Sequence, residues 1–327
     1  MAFFTFLILT ALTALGVSEP STWGFLPIGF VFIGIPLLDW LIGTNKNNPS
    51  SEQTLHMAKA SYWGLPLYLY GTTHFLVLYW AAFSLRDHSQ WGQVVLMSVM
   101  VGMYTGGLGI TVAHELCHKK EILPRTLADL LLASVCYQHF AVEHVRGHHF
   151  RVATPDDPAS SRRGESVYQF WIRAVIGSFI HAWQIDRLSV MRGMLYSLLF
   201  ALSFYMIGSH ILVFFLIQSF VAFTLLEFVD YIEHYGLERK KSESGRFEKV
   251  QTYHSWNSSH RFSNLLLFNL QRHSDHHASA HLPYTILKHH DDAPQLPSGY
   301  PGMILLALVP PIWFKVMDKK VAEFNSR

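Results

Sequence analysis

Residues 22–43 read TWGFLPIGFVFIGIPLLDWLIG, with one charged side chain in the whole run. A bilayer-spanning helix needs about 20 mostly apolar residues. Lipid offers backbone amides no partner except one another, so such a run crosses as a helix. Five more apolar runs lie near 2–18, 63–85, 91–113, 193–208 and 210–229. The first has no basic stretch ahead of it, and Ser-Glu-Pro-Ser leads directly into the second, so the two read as a helical hairpin rather than a leader followed by a span. This pattern predicts an all-α integral membrane protein with about six transmembrane helices, built as a single membrane-embedded domain over 1–327. Charged residues make up 15% of the chain, against about 25% in soluble domains.

Charge placement orients the spans. Six crossings with both ends on one side leave 44–62, 114–192 and 230–327 together. Of the 25 Lys and Arg residues, all but Arg86 fall in these three segments. The positive-inside rule therefore puts both termini, and the long polar segments 114–192 and 230–327, in the cytoplasm. A net charge of +2 gives no reason to expect nucleic acid as a partner, and Cys117 and Cys136 form neither a disulfide framework nor a CxxC metal motif.

The chain holds 20 histidines, and those of the polar segments fall in clusters. In 114-HELCH-118, His114 and His118 share a helix face by their i, i+4 spacing. In 143-EHVRGHH-149, His144 and His148 repeat that spacing and His149 follows. His234 stands alone just past the last span. In 271-QRHSDHHASAH-281, His273, His276 and His277 lie at i, i+3 and i+4. These nine donors exceed what one metal accepts, and so predict two metals. Imidazole suits Zn, Cu, Fe and Ni, and spacing does not choose among them.

Two other readings compete at this level. HELCH fits the HExxH of zinc metalloproteases, with Glu115 as general base, but that site needs one more ligand and leaves six histidines unexplained. A non-catalytic metal transporter or sensor predicts polar residues deep in the spans, where only Asp39, His74, His210, Glu227 and Asp230 are available. Glu115, Glu143, Glu233 and Asp275 each adjoin a clustered histidine. Neighbouring helical residues point about 100° apart, so each carboxylate is expected to orient a histidine of another helix; the alternative is solvated charge on exposed helix faces.

The segments 114-HELCHKKE-121, 143-EHVRGHHFRVATPDDPASSR-162, 232-IEHYGL-237, 254-HSWNSSH-260 and 268-FNLQRHSDHHA-278, with PQLPSGYPG at 294–302, resemble the bacterial membrane alkane 1-monooxygenases. These form a branch of the membrane fatty acid desaturase–hydroxylase superfamily. The resemblance runs from about 36 to 318. It departs from the family pattern at Cys117 and Gln138, where Gly is usual, and in 279-SAHLPYTILK-288.

The resemblance implies a non-haem di-iron enzyme in the bacterial inner membrane, with the metal site on the cytoplasmic side. It would use O2, and electrons from rubredoxin reduced by an NADH-dependent rubredoxin reductase, to convert medium- to long-chain n-alkanes to 1-alkanols. The implied ligands are His114, His118, His144, His148, His149, His234, His273, His276 and His277. His139, His254, His260, Asn257 and Asn269 lie in the matching motifs and would support them. Sister activities on the same scaffold are hydroxylation of a methyl group on an aromatic ring and desaturation of a fatty acyl chain.

An alkane partitions into the bilayer and would reach the metals through a tunnel between spans. Candidate lining residues are Phe32, Ile35, Asp39 and Trp40 on one span and Gly106 on another. The glycines of 102-GMYTGGLGI-110 serve either close helix packing or substrate room. Lys119, Lys120, Arg146, Arg151, Arg239, Lys240 and Lys241 could form a docking face for an acidic electron donor, or simply belong to the positive-inside excess.

Overall fold

The computed structural model describes residues 2–87 and 90–326. Among these, β-structure is limited to isolated bridges, and the rest of the ordered backbone is helical. The helices are α1 (Phe6–Ser18), α2 (Pro20–Ile42), α3 (Ser51–Met57), α4 (Ala60–Ser84), α5 (Trp91–Cys117), α6 (Ile122–Ala133), α7 (140–151), α8 (Val167–Ile207), α9 (Ser209–His234), α10 (Arg261–Leu266), α11 (His273–Ala278), α12 (Tyr300–Ala307) and α13 (Pro310–Asn325). By length and composition, α2, α5, α8 and α9 suffice to cross a membrane. The other two apolar runs form α1, which is only 13 residues long, and α4, a 25-residue helix whose Tyr, Trp, Thr and His residues dilute its apolar character.

The centre of the bundle is the α5–α9 pair. Gly102 and Gly106 bring α5 onto the α9 backbone: a Cβ at Gly102 would lie 2.7 Å from the Gln218 carbonyl oxygen, and one at Gly106 would lie 2.6 Å from the Ala222 Cα. A polar thread crosses this seam, with Thr105 donating to Gln218 Oε1 at 2.9 Å and Gln218 Nε2 donating to the Ser134 carbonyl at 2.8 Å. In an apolar setting each of these groups needs its partner.

Helix α8 differs from the expected span at 193–208. It begins at Val167 and is broken at Asp186 (φ −157°, ψ 80°). There the Asp186 carboxylate accepts from the Ser189 amide at 3.1 Å, which is N-cap geometry for a second helix. The half before the break exposes Tyr168, Ile172, Ile176, Ile180 and Trp183 on one face and buries Val167, Phe170, Ala174, Ser178 and Ala182 on the other. Its apolar residues are spread at helical spacing and not as a continuous run, so a search for apolar runs misses it.

Two loose ends of the sequence find places. Asp39, 2% exposed, accepts from the Ser263 amide at 2.9 Å and so ties α2 to the first turn of α10. Residues 303–318 fold back as α12 and α13, burying Met303, Trp313 and Met317 against Tyr231 and Tyr235 at the end of α9.

Candidate metal centre

All four histidine clusters meet at one end of the bundle. His114 comes from the last turn of α5, inside the spanning helix itself, and His118 caps that helix. His144, His148 and His149 come from α7, His234 ends α9, and His273, His276 and His277 come from α11. Seven of the nine are buried; His118 and His149 are partly exposed.

The ring nitrogens sort into two groups. Those of His114, His118, His144 and His276 lie within 4.8 Å of one another, as do those of His148, His234, His273 and His277. His149 Nε2 joins the first group, 3.1 Å from His144 Nε2 and 3.1 Å from His276 Nε2. This division departs from the simple i, i+4 expectation at α7. Residues His144–His148 form a π turn in which the His149 amide bonds the His144 carbonyl. The i+5 periodicity of a π turn brings His149, and not His148, to the His144 side. Such turns are frequent at functional sites. In α11 the i, i+4 pair His273 and His277 stays together while His276 faces the other group.

The arrangement fits metal ions better than a hydrogen-bonded core. Buried polar groups are normally paired, yet among the described residues His114 Nε2, His234 Nε2, both His273 nitrogens and His277 Nδ1 find no hydrogen-bond partner. Elsewhere nitrogen faces nitrogen, as in His118 Nε2–His144 Nε2 at 3.2 Å and His148 Nε2–His277 Nε2 at 3.3 Å. Two donors each about 2.1 Å from a shared ion stand roughly 3.0–3.4 Å apart at octahedral to tetrahedral angles. Burial, and then repulsion from neighbouring imidazoles, holds His144, His149, His273, His276 and His277 below the ordinary histidine range. These rings are therefore neutral, the form that binds a metal.

The carboxylates behave differently from the sequence expectation. Glu233 lies 3.2 Å from His273 Nδ1 and accepts from the Tyr300 hydroxyl. The other three partner groups outside the nine. Glu115 pairs with Lys119 at 2.6 Å, Glu143 with His181 at 2.8 Å, and Asp275 with His290 at 2.7 Å and the Lys288 amide at 2.8 Å. Held by Lys119, Glu115 is not placed as the general base of an HExxH protease.

The carboxylate that does bond a clustered histidine is Asp157, which the sequence reading passed over. It accepts from His148 Nδ1 at 2.8 Å and from the Ser160 hydroxyl at 2.6 Å. Burial disfavours charge on both partners, but their mutual attraction outweighs it, raising His148 above its usual range and lowering Asp157 below its own. The residue lies inside 143-EHVRGHHFRVATPDDPASSR-162, so the signal was an acidic pair close to a histidine cluster rather than adjacent to it.

The remaining candidates surround the cluster at greater remove. His139 packs its ring against Tyr137 and Phe179. His254 bonds Glu248 at 3.2 Å, and His260 bonds the Ser258 hydroxyl at 2.9 Å. Asn269 takes a left-handed conformation (φ 54°) and donates to the Tyr284 carbonyl at 2.9 Å, shaping the turn before α11. Asn257 is buried, and its backbone links to Pro294 and Leu296.

A cavity opens among the spans and ends at the histidines, with His114, His144 and His273 in its wall. Phe32, Ile35 and Gly106 line it together with leucines of α9 and the 263–270 segment. Asp39 and Trp40 do not. Asp39 is committed to α10, and Trp40, 77% exposed, points out of the bundle.

The proposed docking cations also divide. Lys119, Lys120 and Arg146 line a surface groove with His118 in its wall, joined by Arg125 and Arg192, which the sequence did not single out. Lys119 is paired with Glu115, and Arg146 with Asp186 at 2.7 Å. Arg151 contacts His181, and Arg239 is spent on the Phe150 and Glu248 carbonyls. Lys240 and Lys241 are exposed beside Arg239, away from the groove lining.

Fold and cluster together define a multi-pass helical membrane protein with a polyhistidine cluster that could hold metal ions. The fatty acid desaturase family model matches residues 89–306. The chain is 44% identical to alkane 1-monooxygenase 1 of Pseudomonas aeruginosa, over 94% of this chain and 86% of that protein. It is 39% identical to the alkane 1-monooxygenase of Ectopseudomonas oleovorans, over 96% and 83%. It is 28% identical to the xylene/toluene monooxygenase hydroxylase component of Pseudomonas putida, over 67% and 62%. The chain belongs to the fatty acid desaturase family and, within it, to the alkane 1-monooxygenases.

Proposed function

We propose that this chain hydroxylates the terminal carbon of medium- to long-chain n-alkanes. One atom of O2 goes to the carbon and the other leaves as water, with two electrons and two protons consumed. The observation that carries this reading is the cavity: its walls are apolar along the spans and its end is formed by His114, His144 and His273. An alkane has no polar handle, so position must come from wall shape, and a wall that ends at the metal presents the end of the chain. The identities of 39–44% to alkane 1-monooxygenases support the substrate class.

Two iron ions fit the nine donors, five in the group of His114, His118, His144, His149 and His276 and four in that of His148, His234, His273 and His277. Iron bound there would supply the oxygen chemistry. The chain's own part is to hold neutral imidazoles in place, to keep water from the reacting end with leucine and phenylalanine side chains, and to fix His148 through Asp157.

Rubredoxin, reduced by its NADH-dependent reductase, is the proposed donor, and the groove beside His118 is its docking place. Lys120 and Arg125 are exposed and, among the described residues, outside the ion pairs that occupy Lys119, Arg146 and Arg192, so they carry the attraction for an acidic partner. The charge distribution supports a single membrane-embedded domain in the bacterial inner membrane with this face cytoplasmic.

Membranes containing the chain, supplied with rubredoxin, reductase, NADH and 18O2, should convert n-octane and n-hexadecane to singly labelled 1-alkanols. Label in an aryl alcohol from p-xylene but none from alkanes, or a new double bond in acyl lipid, would replace the alkane reading with one of its sister activities.

A further inference from the structure

We propose that Gly107 sets the longest alkane the cavity admits. Helix α5 carries four glycines in nine residues, and the structure gives them two different tasks. A Cβ on Gly102 or Gly106 would strike the α9 backbone, and one on Gly109 would come within 2.8 Å of the His74 ring. These three are packing glycines. A Cβ on Gly107 would meet nothing within 4 Å among the described residues. Its φ is not in the left-handed region, so its backbone does not demand glycine, and glycine is a poor helix former. Packing and conformation both leave the missing side chain unexplained.

The cavity explains it. Gly107 is in the cavity wall, between His114 at the metal end and Met103 and Leu9 farther out. It sits within the π turn Thr105–Ile110, where the helix is locally widened. Seven residues separate it from His114, about 10 Å of helix rise, and eleven separate Met103 from His114, about 16 Å. A chain of roughly eight carbons, extended from the metal end, therefore reaches the level of residue 107, and a longer chain must pass it. With no side chain at 107 the way on is open; a branched side chain there would project into the space a longer alkane occupies.

The inference rests on the alkane reading above. Its test is a graded series, Gly107→Ala, Gly107→Val and Gly107→Leu, in full-length protein in membranes, assayed with n-octane and n-hexadecane. Gly107→Ala, which adds a single methyl group, should lower the hexadecane-to-octane rate ratio least. In Gly107→Leu the hexadecane-to-octane rate ratio should fall at least about tenfold, the scale of a pocket's discrimination over a few methylenes, with Gly107→Val between. A second readout needs no turnover: n-hexadecane should stabilise the solubilised wild type and not Gly107→Leu against heat, while n-octane stabilises both. Gly106→Ala is the contrast, expected to lower both activities together by forcing α5 from α9.

A ratio that stays at the wild-type value in Gly107→Leu and Gly107→Val, with hexadecane still stabilising, overturns the gate while leaving alkane hydroxylation standing. A wild type that makes no alkanol overturns the alkane reading, and the heat-stabilisation series then decides the gate alone.

Discussion

Replacing Asp157 by Asn tests whether a buried carboxylate outside the histidine clusters controls the metal centre. The Asp157 side chain has no solvent exposure, and all three of its partners donate to it. Oδ2 accepts from His148 Nδ1 at 2.8 Å and Ser160 Oγ at 2.6 Å, and Oδ1 accepts from the Ala159 amide at 3.2 Å. Asparagine has the same shape but one oxygen, so its NH2 must face at least one of these donors. The variant loses a charge-assisted hydrogen bond, worth about 1.5–3 kcal/mol, and with it the fixed orientation of the His148 ring. Partners of this kind typically change metal affinity by about 10–100-fold, or about 1.4–2.8 kcal/mol, and the two estimates agree.

The assay is iron retained per chain after dialysis against a graded chelator series, with helical circular dichroism as the fold control. Asp157→Asn should release its iron at a chelator strength at least about tenfold lower than the wild type. Asp275→Asn should not, because Asp275 bonds His290 and the Lys288 amide rather than a clustered nitrogen. Equal retention by Asp157→Asn and wild type, or earlier loss from Asp275→Asn, would refute the assignment of Asp157 as the residue that orients His148.

Other expectations follow from the same geometry. Trp40→Ala removes an outward-pointing ring and should leave alkane turnover and its length profile unchanged, which product analysis would show. Lys120→Glu combined with Arg125→Glu should raise the KM for reduced rubredoxin by roughly tenfold at low salt and leave dithionite-driven turnover at the wild-type rate. Arg173 binds both Glu165 oxygens, at 2.8 and 2.7 Å, and also the Pro158 and Ser160 carbonyls, clamping the loop that carries Asp157. Burial pushes the Glu165 carboxyl up, but Arg173 more than offsets this and holds it below the usual range. Its contribution to stability is therefore present above the ordinary glutamate pKa and lost as pH falls through the lower folded value. Melting of the wild type should drop across that window, and Arg173→Met should flatten the drop.

The apolar runs and histidine spacings carried most of the fold and picked out nine histidines that the structure gathers at one end of the bundle. A span is declared by local composition, and i, i+4 pairs such as His114 and His118 by local helix geometry. What stayed hidden depends on breaks in that regularity. The π turn at His144–His148 reassigns His148 and His149 between the two groups, and no residue in HVRGH announces it. The first half of α8 is amphipathic and looks like polar loop to a hydropathy search. Sequence adjacency misdirected the search for supporting carboxylates, because Glu115 and Asp275 point away from the ligands while Asp157 reaches His148 from a loop. Of the four glycines at 102–109, three close the α5 packing and one leaves space, a distinction that depends on what stands opposite each.

The most direct test of the centre itself is metal analysis with Mössbauer spectroscopy on purified protein from iron-57-grown cells. Two irons per chain in nitrogen-rich environments are expected, with one of the two disturbed in the single variant His149→Ala, because that ring belongs to the group of His114, His118, His144 and His276. One iron per chain, or a full complement of zinc with no iron-dependent turnover, would contradict a di-iron centre built from these nine histidines.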